Sequence, residues 1–240
     1  MTTKIFIATH KEYKMPQSPV YIPVWVGAAI NPNKSDSFSS DNTGDNISEK
    51  NPSYNELSAL YWGWKNVDAD IKGLAHYRRY IGDKKNIHDY SNLLEEQIID
   101  LLADNDVILT PSKKFYVIDS YTHYIKSQKE METTHKNDLD TLYKIMGQLH
   151  PEYQPALKKV YQSKKVHMLN MFIMKKELFN KYCEWLFSIL SEMEKSINRY
   201  RVLGAMGEFL LDTYIITNQL KFIEKPIIEL ERVSFFKKVK

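Results

Sequence analysis

One cysteine, Cys183, is all the thiol the chain carries. An internal disulfide framework and a clustered thiolate metal site are therefore excluded. Long apolar runs are missing too. The longest nearly apolar stretch, Ile22 to Ile30, contains Pro23 and falls well short of the ~20 residues that span a bilayer. Charge of one sign is scarce: 33 Lys and Arg face 30 Asp and Glu over 240 residues, a net of +3, too mild a surplus to suggest a nucleic-acid binder. There is no Gly-x-Gly-x-x-Gly, no Walker loop, no Gly-x-Ser-x-Gly and no His-Glu-x-x-His. Dinucleotide oxidoreductases, nucleotide triphosphatases, serine hydrolases and zinc proteases are disfavoured accordingly. Met1-Thr2-Thr3-Lys4 runs straight into Ile5-Phe6-Ile7-Ala8 without a secretory apolar region. The expectation is a soluble, cytoplasmic protein.

What is present argues for a folded core. Sixteen Tyr, ten Phe and four Trp carry far more aromatic surface than a disordered chain. No internal repeat or long linker divides the sequence, so one domain over residues 1–240 is expected. Lys4–Thr9 reads as a first strand. Pro16, Pro19 and Pro23 punctuate an extended stretch, and Asn31 to Asn46 is loop-like. Ser53 and Glu56 have capping-box spacing ahead of a helix with Leu57, Leu60, Tyr61 and Trp64 on one face, ending near Asn66. Ile71–Ile81 reads as a strand, Leu93 to Leu102 as a helix and Asp106–Thr110 as a short buried strand. Residues 112–165 are polar, with helical pieces flanking Pro151 and Pro155. His167 to Met174 is almost continuously apolar except for Asn170. A long amphipathic helix runs from Leu178 to Met193, and Gly204 and Gly207 interrupt the chain before a final helix. Alternating strands and helices predict an α/β fold around a mainly parallel sheet.

In such a sheet, ligands bind beyond the carboxyl ends of the strands. Thr9-His10 ends the first strand and His76-Tyr77-Arg78-Arg79 ends a second, while Asn170 interrupts a third. The two arginines are either a solvated strand edge or diphosphate ligands; alternation puts them on opposite faces, so one of them is expected to point at the ligand. Asp68-Ala69-Asp70 and Asp104-Asn105-Asp106 have the Asp-x-Asp pattern of metal-binding transferases. Both precede their strands and are read as turns rather than metal sites. Asp138-Leu139-Asp140 is no better placed. Asp45, Asn46, Ser48 and Asn51 are either a structural turn or a hydrogen-bonding cluster ahead of a helix N-terminus. Glu208 is either a first-turn carboxylate complementing the helix dipole or a base for an attacking hydroxyl. His167 and Asp212 are weaker contenders for that role, and Cys183 is expected to be buried and inert.

Taken together, Ile5 to Lys11, Gly44 to Ser48, Lys50-Asn51, Glu56-Leu57, Tyr61 to Asn66, Gly73-Leu74, His76 to Tyr80, and Asn170 to Met174 resemble the motif series of one family. Long catalogued as a domain of unknown function, it occurs in bacterial capsule, exopolysaccharide and O-antigen gene clusters, and its members are assigned as galactofuranosyltransferases. The resemblance runs nearly end to end and includes Trp185-Leu186-Phe187 and Gly207-Glu208. It departs at Asn55, where many relatives carry Cys.

The resemblance implies a single-domain GT-A-like glycosyltransferase fold. The implied reaction is inverting transfer of galactofuranose from UDP-galactofuranose to a hydroxyl of a lipid-linked glycan. Another UDP-hexose such as UDP-galactopyranose, or a non-catalytic glycan- or nucleotide-binding module, is the alternative. By this analogy Thr9 and His10 serve the uridine end, and His76, Arg78 and Arg79 the diphosphate. Asn46, Asn51 and Asn170 serve sugar or nucleotide, with Glu208 the base and Asp45 in reserve. No resident cofactor and no required divalent metal are expected, and the chain resembles a stand-alone transferase. The basic, Phe-containing tail Arg232–Lys240 is a frayed terminus or a peripheral contact with the cytoplasmic leaflet.

Overall fold

Alternating burial along the first strand sets the architecture. In β1 (Thr3–Thr9), Ile5 and Ile7 face one side and Phe6 and Ala8 the other, and all four are buried. A strand buried on both faces belongs at the centre of a covered sheet. The computed structural model describes residues 1–31, 35–86, 89–129, 137–197 and 199–229, and β1 lies centrally in it. β1 pairs in parallel with β2 (Tyr21–Trp25) and with β4 (Ile71–His76), and β2 continues to the short β3 (Ser39–Ser40). On the other side of β4 come β10 (Phe172–Lys175), β7 (Val107–Leu109) and β11 (Phe222–Glu224), in the order β11-β7-β10-β4-β1-β2-β3. β10 alone in that path runs antiparallel to its neighbours.

Helices cover both faces. Phe6, Leu74, Phe172 and Met174 pack with α2 (Leu57–Asn66), α7 (Lys176–Glu194) and α8 (Val202–Thr217). Ile5, Ile7, Ile71 and Ile173 pack on the opposite face with α3 (Glu95–Asp104). Gly63 lets α2 sit directly on the Phe6 ring, which a Cβ there would overlap. The polar 112–165 region folds as β8 (Lys113–Lys114), α4 (Ser120–Lys129), α5 (Asn137–Leu149) and α6 (Gln154–Gln162), and β8 pairs with β9 (Lys165–Val166). The tail from Arg232 to Lys240 lies outside the described residues. Among the described residues, no helix is long and apolar enough to cross a membrane.

Four local expectations are corrected. The strand from Ile71 stops at His76, and Tyr77-Arg78 form a two-residue turn into β5 (Arg79–Asn86), with His76 paired to Arg79. β5 then pairs with β6 (Asp89–Asn92) and β12 (Ile227–Glu229). Ser53 and Glu56 make no capping box, because the chain breaks between α1 (Asn51–Tyr54) and α2 at Asn55, whose φ is 51°. Gly204 and Gly207 do not interrupt the chain but lie within α8, where they permit close contact with Asn55 and with Asn170. Glu208 therefore sits in the second turn of α8, not at its dipolar start. Finally, the third strand begins at Phe172, leaving Asn170 in the turn before it.

Candidate active site

The antiparallel direction of β10 brings the start of that strand to the carboxyl edge of β4. Phe172 pairs with Leu74, so the register carries Asn170 to the level of His76. Leu169 and Asn170 both adopt left-handed backbone, with φ of 82° and 52°. Two consecutive non-glycine residues there cost on the order of 1–3 kcal/mol each, a burden that surrounding contacts must hold. Three hydrogen bonds hold it. The Asn170 amide donates to Glu56 Oε1 at 2.6 Å and to the Gly204 carbonyl at 2.9 Å. The Leu169 N–H donates to Glu208 Oε1 at 3.0 Å. Asn170 Oδ1 is buried without a partner among the described residues, and Gly207 makes the room it occupies.

Glu208 thus stands beside a second carboxylate. Burial, then repulsion from Glu56, push its pKa up to about 7, against the pull of the Leu169 N–H, Lys113 and Arg201. His76 completes the group. It hydrogen-bonds the Leu169 backbone, and its Nε2 is buried without a partner among the described residues. Burial holds its pKa low, with Arg79 and Arg201 adding to the effect and Glu56 opposing it. A near-neutral imidazole and a carboxylic acid poised at neutrality share one edge of the sheet.

Cationic groups gather on the neighbouring side. The Arg78 guanidinium lies 4.9 Å over the Tyr77 ring, and Lys11 Nζ is 5.3 Å from the same ring. The His10 ring meets Tyr77 edge-on at 5.2 Å. Burial lowers the His10 pKa, and Lys11, Arg78 and Arg201 lower it further, so these charges share one field. Arg201 opens α8 in left-handed backbone, with φ 63° and its N–H on the Pro52 carbonyl. Arg79, by contrast, pairs with Glu229 of β12 at 3.4 Å. Thr9 is buried, its hydroxyl donating to the Lys11 carbonyl at 2.6 Å, which shapes the loop at the end of β1.

The Asn/Asp-rich stretch goes elsewhere. Asn66 clasps Asp45: its Oδ1 accepts the Asp45 N–H and its Nδ2 donates to the Asp45 carbonyl. Asp45 Oδ1 accepts from Tyr61. Asp45 is thus held from the middle and the C-terminal end of α2, whereas Glu56 precedes the start of that helix. Asp45 does not join Glu208. Asn46 closes a local turn onto Gly44 and Ser48. The Asn51 amide donates to the Asn55 carbonyl and to Ser58, holding the α1–α2 break.

The acidic triplets are occupied structurally. Asp68 pairs with Lys176 and Asp70 accepts the Thr2 N–H, while Asp106 accepts the Lys221 N–H. Buried Asp138 binds Arg199 and the Tyr124 hydroxyl. Cys183 is buried and its thiol pKa is raised by that burial. Glu208 also lines a recess between α4, α8 and the segment before β10. His167 borders it, held by Asp212 at 2.6 Å and Glu224 at 3.0 Å.

Two residues at this edge escape sequence reasoning. Glu56 reads as a cap, and its partner Asn170 lies 114 positions away. Arg201 is one basic residue among many before α8. Glu56 is signalled by its place in the Glu56-Leu57 motif and by the anomaly of Asn170 inside an apolar run, and Arg201 by neither.

A comparison with curated proteins returns no match. Among solved structures, the apo structure of the bifunctional glycosyltransferase WbbM superposes with a TM-score of 0.83 at 31% identity. The match covers 95% of this chain and 45% of that one, so the chain spans less than half the length of the protein it resembles. The α/β fold with a mostly parallel sheet is thus that of a glycosyltransferase. A model of the domain of unknown function DUF4422 matches residues 4–219, and the chain therefore belongs to the DUF4422 family.

Proposed function

We propose that this chain is an inverting glycosyltransferase that moves galactofuranose from UDP-galactofuranose to a hydroxyl of a lipid-linked glycan. The observation that carries the reading is Glu208: a carboxyl of pKa about 7, oriented by the Leu169 N–H at the carboxyl edge of the sheet, beside a cationic group. The likeness to WbbM supports glycosyl transfer in general. The galactofuranose donor rests on the motif resemblance.

In the reaction, the acceptor oxygen attacks the anomeric carbon from the face opposite the diphosphate. The new C–O bond forms as the bond to the diphosphate breaks, and that electron pair leaves with UDP. The acceptor proton passes to Glu208, which must be ionised to receive it. Arg78 and Arg201 are assigned to the charge that develops on the departing diphosphate, where guanidinium hydrogen bonds are strong and permanently charged. His10 and the loop shaped by Thr9 border the same field.

Arg201→Ala is expected to weaken UDP binding about 10–100-fold, since a hydrogen bond to a charged group is worth about 1.5–3 kcal/mol. Arg79→Ala, which removes only a half-exposed pair with Glu229, is expected to stay within about threefold. Calorimetry with UDP checks both, and the reverse order would reassign the diphosphate to Arg79.

The function itself is tested with UDP-galactofuranose and UDP-galactopyranose over a panel of lipid-linked acceptors, with and without a chelator. Transfer from the furanose donor, undiminished by the chelator, is expected. Transfer from the pyranose donor alone would change the substrate. Loss of activity restored by Mn²⁺ or Mg²⁺ would replace arginine by a metal at the diphosphate. No turnover of any donor, even by hydrolysis, would leave a binding module.

A further inference from the structure

We infer that the recess behind Glu208 is the binding site for the acceptor sugar, an inference that rests on the transferase reading for its place in the reaction but not for its existence as a sugar site. The recess is walled by α4, α8 and the segments flanking β8 and β9. Arg78, Lys11 and His10 lie on other elements, while Arg201 at the start of α8 and Lys113 of β8 both act on Glu208. Glu208 borders the recess and also holds the Leu169 N–H next to Glu56. A hydroxyl seated in the recess would meet the same carboxyl that faces the donor side.

The chemistry of the wall fits a pyranose or furanose ring. Tyr124 and Phe209 meet edge-on at 5.7 Å, and Phe115 stacks with His123 at 4.3 Å. Aromatic faces of this kind carry negative potential that attracts the C–H face of a sugar. Lys113 Nζ lies 3.3 Å from His123 Nε2 and 5.2 Å from the Phe115 ring, so one ammonium stands at this wall. The hydroxyls of Ser120 and Ser127 donate to carbonyls of their own surroundings, and both His167 ring nitrogens are engaged by Asp212 and Glu224. Aromatic side chains beside one carboxyl and one ammonium suit a glycosyl ring, whose apolar face and hydroxyls meet both kinds of group.

The test reads binding directly. Methyl β-D-galactopyranoside and methyl N-acetyl-β-D-glucosaminide are presented to the full chain, and saturation transfer to the sugar protons is measured by NMR. Ala205→Trp fills the recess from α8 and Ser127→Trp fills it from α4, so a misfolded variant of one leaves the other informative. Thermal melting identifies the folded variants. At least one glycoside is expected to show transfer with the wild-type chain, reduced fivefold or more in both folded variants and retained when UDP is added. Transfer unaffected by either substitution, absent with both glycosides, or abolished by UDP would each overturn the assignment. Donor turnover is scored separately. Sugar binding lost in the Trp variants of a chain that turns over no donor keeps the recess as a sugar site while the transferase reading falls.

Discussion

Glu208→Gln is expected to lower turnover by about 10²–10⁴-fold, the range a general base contributes, while UDP affinity stays near wild type. Glutamine keeps the oxygen that accepts the Leu169 N–H, so the turn at Leu169-Asn170 retains its anchor and the loss reads as chemistry. Rapid-quench transfer assays beside calorimetry check the two quantities separately. The pH profile supplies a second signature. A base acts in its ionised form, so wild-type kcat/KM should rise with pH through about 7 and level off above it. Glu56→Gln removes the neighbouring charge that helps hold Glu208 protonated, and should move that rise to lower pH.

The same carboxyl makes an opposite prediction for stability. Its folded pKa, about 7, exceeds the ordinary 4.5. Below pH 4.5 the group is neutral in both folded and unfolded chains, and its stabilising contribution is fully present. Between 4.5 and 7 the unfolded chain ionises first, and the contribution is lost as pH rises, by roughly 3 kcal/mol at 1.36 kcal/mol per pKa unit. Glu208→Gln has no such loss. The variant should melt higher than wild type at pH 8 and converge with it near pH 4. A slower enzyme that is also more stable is the mark of a group held against its own preference.

How far the sequence discloses this depends on the range of the interactions. Strand β1, the start of β4, helices α2 and α7 and the second half of α8 follow from local apolar patterning, and so does their arrangement as an α/β sheet. Asn170 also announces itself, because a buried amide in an apolar run needs partners. Its partners are not legible, since Glu56 and Gly204 reach it only through the antiparallel placement of β10. Likewise, Arg78-Arg79 read as consecutive strand residues with opposed faces. The two-residue turn at Tyr77-Arg78 instead leaves Arg78 on the Tyr77 ring and sends Arg79 to Glu229, 150 positions on. Asp45 shows the reverse failure: a polar cluster near a helix reads as its N-terminal partner, yet Asn66 ties it to the other end.

Asp212→Ala is expected to cost about 3 kcal/mol, because two hydrogen bonds to a charged group are lost while Glu224 still pairs with His167. For a chain of this size that corresponds to a fall of roughly 10 °C in Tm. Asp212 holds the His167 N–H at 2.8 Å and Nδ1 at 2.6 Å, while Glu224 meets Nε2 at 3.0 Å. Burial pulls the His167 pKa down, but the two carboxylates together outweigh it and the net shift is upward. A folded pKa above 6.5 means that this contribution is fully present below pH 6.5 and is lost as pH rises through the folded value. The gap between wild type and Asp212→Ala should therefore be widest in mild acid and narrow on the alkaline side. It should not close there, because a neutral imidazole still donates to Asp212. The consequence reaches the chemistry through the chain. His167 lies two residues before Leu169, whose left-handed backbone aims its N–H at Glu208. Slackening that segment weakens a hydrogen bond that favours the ionised carboxylate, so the rise in kcat/KM should move above pH 7 in the variant. Asp212→Asn, which keeps one acceptor for the His167 N–H, should restore part of both the melting temperature and the pH midpoint. A melting loss without any displacement of the pH profile would confine Asp212 to packing and detach the His167 clasp from the Glu208 carboxylate.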